Sequence, residues 1–150
     1  RSNIFTLNKD SVIIDLLNPS NSKNTTKLTN QNYHLILNNP IISFIEIAKG
    51  FDNGKLFEFL ELMNHACQQI LKLQTISNEM KFSLKIRKIK RTNKKGMYIA
   101  NQNTIILDPR YVDSFIHELG HWYHTWFENK INEVKDAEIY AENFENILNF

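Results

Sequence analysis

His117-Glu118-Leu119-Gly120-His121 is the stretch of this 150-residue chain whose residue types and spacing could do chemistry. On an α-helix, residues four apart lie one turn apart on the same face, so His117 and His121 can offer ring nitrogens to one zinc ion. Glu118, beside the first histidine, points to where a water on that ion would sit and could take its proton. With 5 His and 10 Glu in the chain, chance produces this pattern only about 0.01 times.

The elements needed to position these residues are present around them. Thr104-Ile105-Ile106-Leu107 is β-branched and reads as a strand. Asp108-Pro109 follows as a helix start, with Asp at the N-cap and Pro at the first helical position, where its missing N–H is harmless. No further Pro occurs before Phe127, so one helix is expected to run that far. Gly120 inside it would weaken a free helix by about 1 kcal/mol relative to Ala, which is tolerable if another backbone or a substrate comes close.

A catalytic zinc usually takes three protein ligands. His124 is the nearest further candidate, but three successive turns of one straight helix do not converge easily on a tetrahedral ion, and a cleft-lining role suits it better. The next predicted helix, residues 136–144, follows a polar reversal over residues 128–135 and carries Glu138 and Glu142 four apart. One of these carboxylates can bind the metal while the other accepts a hydrogen bond from a ligand imidazole and so fixes its tautomer.

The motif followed by Glu138-Ile139-Tyr140-Ala141-Glu142-Asn143-Phe144 resembles the gluzincin branch of zinc metallopeptidases. The short spacing and the form His-Glu-Leu-Gly-His-Trp-Tyr-His are similar to compact ImmA/IrrE-like peptidases, and anthrax-lethal-factor-like toxins and bacterial effector proteases share the same logic. The resemblance covers roughly residues 97–148. It implies an α+β, zincin-like fold with a backing helix, a small twisted sheet, an active-site helix and a following ligand helix. It implies Zn2+ held by His117, His121 and Glu138, with Glu118 as general base and Glu142 supporting a histidine. Tyr140 stands where the compact peptidases often have Glu before Ala141, so the choice of third ligand between Glu138 and Glu142 stays open.

The activity implied is hydrolysis of a peptide bond in a protein substrate, with a further donor for the oxyanion supplied by Tyr140, Tyr123, His124 or Arg110. Strand 104–107 would border the cleft, and an extended peptide could add to it through backbone hydrogen bonds.

Composition sets the outer limits. A chain of this length with 42% hydrophobic and 11% aromatic residues forms a single domain with a real core. Its net charge of +2 does not nominate nucleic acid as a partner. The single cysteine, Cys67, rules out an internal disulfide and suits a reducing compartment. No apolar run approaches 18 residues, so no membrane span is expected. The opening Arg1-Ser2-Asn3 lacks Met, which leads to the expectation of a fragment. A monomer is expected, either cytoplasmic or secreted as an effector or toxin.

Residues 1–40 read as a poorly defined N-terminal extension, with an apolar patch at 11–17, a polar loop at 18–32 and a short strand at 33–37. Pro40 suggests a helix over 40–49, ended by Gly50 and the Asp52-Asn53-Gly54 turn. Leu56, Phe59, Leu60, Met63, Cys67, Ile70 and Leu71 repeat at helical spacing and predict a long core helix over 55–76, with His65 facing solvent. Residues 81–89 alternate as a strand buried on one face. Residues 81–95 hold 8 of the 18 basic residues and read as a solvated edge strand protected by lysines. A hairpin is expected between 97–100 and 104–107 across Asn101-Gln102-Asn103. Two other functions fit the same residues: a catalytically inactive zincin-fold binding or regulatory domain, and a binding domain whose histidines are buried structural groups.

Overall fold

Apolar residues at sheet spacing build a mixed β-sheet whose one face carries the helices that hold the motif. The computed structural model describes residues 5–7, 11–14, 24–28, 32–36, 39–48, 53–90, 93–128 and 134–148. The strands are β1 (Phe5–Leu7), β2 (Ser11–Ile14), β3 (Asn24–Leu28), β4 (Asn32–Ile36), β5 (Ile42–Ala48), β6 (Phe82–Ile86), β7 (Gly96–Ile99) and β8 (Thr104–Leu107). The helices are α1 (Asn53–Leu73), α2 (Phe115–Tyr123), α3 (Val134–Glu142) and the short α4 (Phe144–Ile147). The class is α+β, as expected.

Among the described residues the sheet runs β1-β2-β3-β4-β5-β6-β8-β7. Neighbours from β1 to β5 are antiparallel, β6 is parallel to both β5 and β8, and β7 closes the edge antiparallel to β8. Register places Ile45, Leu84 and Ile105 in one row and Ile47, Ile86 and Leu107 in the next, all buried. Onto that face pack Phe59, Leu60, Met63, Cys67 and Ile70 of α1 and Phe115, Leu119 and Trp122 of α2. Phe59 meets Phe115 edge to face at 5.3 Å, and Phe82 lies 5.4 Å from Trp122. Each such side chain removed from water contributes about 1.5–3 kcal/mol.

The predicted core helix is α1, and His65 is exposed on it as expected. The buried stripe stops at Ile70; Leu71, in the last turn, is 36% exposed, and the side chain of Leu56 lies outside the described residues. The short strand at 33–37 is β4 and the hairpin is β7–β8, with the αL residue Asn103 (φ 47°) at its turn.

Three expectations are corrected. Residues 42–48 form strand β5, not a helix. Pro40 imitates a helix start, but the Asn39 carboxamide oxygen accepts from the amides of Ile41 (2.7 Å) and Ile42 (2.9 Å) in a turn that launches a strand. A register shift between Ile42 and Phe44 interrupts the alternation that would have revealed it. The loop expected over 18–32 contains β3 at 24–28 and the first residue of β4; the rest of that loop and residues 50–52 lie outside the described residues, while Asn53 and Gly54 of the expected turn begin α1. Strand 82–86 is no edge: β6 sits between β5 and β8, and the sheet edge on this side is β7.

Asp108 ends β8 and starts the helical layer as its sequence promised. Buried, it accepts from Arg110 N (3.0 Å), Arg110 Nε (2.9 Å), Arg110 Nη2 (2.8 Å) and Ile89 N (3.1 Å). The Arg110 hydrogen bonds hold its carboxyl well below the usual range, against the opposing effect of burial. The segment that follows is not one helix. A 3-10 stretch, Pro109–Ser114, kinks at Tyr111 (φ −134°, ψ 50°), α2 begins at Phe115, and a π-helical turn, His124–Glu128, ends it.

A group whose folded pKa is depressed stabilises the fold above its unfolded pKa of about 4 and loses that contribution as pH falls below it. Asp108→Asn should therefore lower stability at neutral pH by about 1–2 kcal/mol in denaturant unfolding. The gap to wild type should shrink as pH drops below about 4; a pH-independent gap would contradict the ionised cap.

Candidate metal centre

Helix α2 is two-sided. Phe115, Leu119 and Trp122 recur at helical spacing toward the sheet, and His117 and His121 lie on the opposite side. Gly120 lets the next helices reach that side. A Cβ placed there would stand 2.9 Å from Phe144 Cβ and 3.1 Å from Ala141 Cα. The small residue inside the motif is thus explained by a neighbouring backbone.

That close approach brings Glu138 of α3 over both histidines. Its Oε2 lies 3.1 Å from His117 Nε2 and its Oε1 lies 3.1 Å from His121 Nε2. The two rings meet edge-on with centroids 4.9 Å apart. Ligand atoms of all three side chains fall within 4.8 Å of one another, the one such His/Cys/Asp/Glu group among the described residues. Two imidazoles and a carboxylate suit zinc, and tetrahedral bonds of about 2.0–2.1 Å put donor atoms about 3.3 Å apart. The two distances to Glu138 match that spacing, and the donor set fits such an ion. Burial pushes the His121 pKa down, against the pull of Glu138, and so favours the neutral imidazole that ligates metal.

Glu118 lies beneath this cluster. It is 6% exposed, and β7 passes directly over it: a Cβ on Gly96 would lie 3.1 Å from Glu118 Cγ. Desolvation first, and then the charge of Glu138, raise its carboxyl to about 7, with Lys94 acting the other way. The three candidate ligands and Glu118 open on a cleft of about 840 Å3 whose far wall is made by Lys94, Lys95, Gly96, Met97 and Tyr98.

The other sequence candidates are distributed unequally. His124 is 6% exposed and lines the cleft, but it is not part of the His117–His121–Glu138 group. It opens the π-turn, its ring lies 4.6 Å from that of Tyr140, and its buried Nε2 has no hydrogen-bond partner. Tyr140 is half-buried behind His124 and outside the cleft lining, with its phenol pKa raised by burial. Tyr123 belongs to the core, where its hydroxyl accepts from Gln74 Nε2 at 3.2 Å. Arg110 is forked onto Asp108. Of the four oxyanion donors considered, only His124 borders the cleft.

Glu142 is exposed and shares a smaller concavity of about 250 Å3 with His117, without a hydrogen bond to either histidine. Strand β8, expected to receive an extended peptide, is interior, so its backbone is already paired on both sides; the edge belongs to β7. Gly96, Lys94 and Lys95 went unassigned to the site in the sequence. The signal for the first was a glycine at the start of a strand, which marks close approach by another group. No family model, curated protein or solved structure matches the chain.

Gly120→Ala separates two effects of opposite sign. In an open helix it would stabilise by about 1 kcal/mol; against Phe144 and Ala141 it should destabilise by about 1–3 kcal/mol. Denaturant unfolding of the metal-free protein gives the sign, and a stabilised variant would contradict the close approach of α3 and α4.

Proposed function

We propose that this protein is a zinc-dependent metalloendopeptidase of the gluzincin type, acting on a peptide bond in a protein substrate. The observation that carries the reading is the Glu138 carboxylate lying 3.1 Å from Nε2 of both His117 and His121. His117, His121 and Glu138 would hold the zinc. When bound, zinc supplies Lewis acidity, making water acidic near neutrality and polarising a carbonyl.

Glu118 does the proton work. Burial raises the proton affinity of its carboxyl, which suits a general base that later serves as acid. It takes a proton from the attacking water, whose oxygen forms the new bond to the carbonyl carbon. The C–N bond then breaks, and the proton carried by Glu118 leaves with the amine. Gly96 of β7 packs against the side chain that carries this carboxyl. His124, at the cleft wall, is the residue best situated to donate to the developing oxyanion. The cleft is large enough for an extended peptide segment, and its β7 wall supports docking of one.

Elemental analysis after metal-replete purification should find about one zinc per chain. Glu118→Gln should keep that zinc and lose peptide hydrolysis by about 100-fold or more. Retained hydrolysis would remove Glu118 from the mechanism. Absence of zinc from wild type would favour a binding domain with structural histidines, and zinc without hydrolysis an inactive zincin.

Glu138→Ala should weaken zinc affinity by about 10-fold or more, and Glu142→Ala by much less. Competition with a chelating dye reads both constants, and the reverse order would transfer the ligand role to Glu142.

A further inference from the structure

The cleft has a charged wall that the hydrolytic machinery does not use. Residues 80–107 contain 8 basic residues and no Asp or Glu. The last two of the run, Lys94 and Lys95, line the cleft immediately before Gly96. Gly96 is the residue that stands against Glu118, so both lysines enter the wall beside the reacting carboxylate.

The Lys95 carbonyl accepts from the Asp108 amide at 3.0 Å, tying it to the capped turn that starts the helical layer. Its ammonium lies 5.3 Å from the ring centroid of Tyr111, a cation–aromatic contact. Lys94 lines the same cleft as Glu118. The acids lining the cleft are Glu118 and Glu138, and both are engaged at the proposed zinc site. Lys94 and Lys95 therefore put two positive charges on the wall that faces the cleft.

We propose that the cleft selects peptide segments bearing Asp or Glu within about two residues of the bond to be cut, an extended span of about 7 Å, with Lys94 and Lys95 as the residues that recognise them. The inference rests on the peptidase reading and names its substrate class. Opposite charge across a partly desolvated wall contributes to encounter and selection, and salt weakens it.

The test uses zinc-loaded Glu118→Gln protein, so that binding is read without turnover. Three fluorescein-labelled peptides of one length and apolar frame, carrying glutamates, glutamines or lysines, are titrated by fluorescence anisotropy, with zinc content measured on the same samples. The acidic peptide should bind roughly tenfold more tightly than the neutral one and more tightly still than the basic one, with the advantage shrinking as salt rises. Adding Lys94→Glu and Lys95→Glu together should abolish or invert the order while zinc content stays the same. Equal binding of the three peptides, or an order unmoved by the double charge reversal, would overturn the proposal. So would tighter binding of a single-stranded oligonucleotide than of the acidic peptide. Charge selection in a sample without zinc would support the recognition wall while removing the peptidase reading, so the two failures are distinct.

Discussion

The carboxylate of Glu138, reaching the Nε2 atoms of two histidines one helical turn apart, is the interaction on which the site depends. A carboxylate only accepts, so its two oxygens can meet either an N–H or a shared cation at the two Nε2 atoms, each 3.1 Å away. The arrangement exists because α2 divides its surface. One side is committed to the sheet through Phe115, Leu119 and Trp122, and the other is free to face α3. Gly120 sets the distance between those helices, since any side chain there would strike Phe144 and Ala141.

The rest of the domain fixes the orientation of α2. At one end Asp108 binds Arg110 and the Ile89 amide, joining the end of β8 to the strand-exit of β6. At the other, Trp122 Nε1 donates to Met80 O at 2.7 Å, and Asn103 gathers three elements. Its Oδ1 accepts from Tyr98 Oη (2.7 Å) and Trp126 Nε1 (3.2 Å), while its Nδ2 donates to Met80 O (3.0 Å) and Lys81 O (2.9 Å). These bonds anchor β7 and the π-turn to the loop before β6. With β7 anchored, Gly96 closes over Glu118, and the same packing that buries the carboxyl raises its proton affinity. Fold and chemistry meet at that strand.

The site was legible in the sequence where it is local. His117, Glu118 and His121 are placed together by helical period, and the second helix returning beside the first offered both Glu138 and Glu142, between which the sequence does not choose. The Asp108-Pro109 cap, the long core helix and the β7–β8 hairpin were readable for the same reason. What escaped depends on partners far along the chain. The interior position of β6 requires parallel neighbours that arrive by crossovers, which Lys85 and Arg87 disguise as a solvated edge. Strand β5 was hidden by an Asn39-Pro40 turn that imitates a helix start and by the register shift after Ile42. Tyr123 was a plausible donor by spacing, yet Phe127 and Phe144 enclose it in the core. No periodicity of residue types announces the π-turn that opens at His124.

X-ray absorption at the zinc edge of the metal-replete protein tests the proposed centre most directly. The expected shell is nitrogen and oxygen at about 2.0–2.1 Å with the scattering signature of two imidazoles, losing the carboxylate oxygen in Glu138→Ala. A shell containing sulfur, or one lacking imidazole scattering, would contradict it.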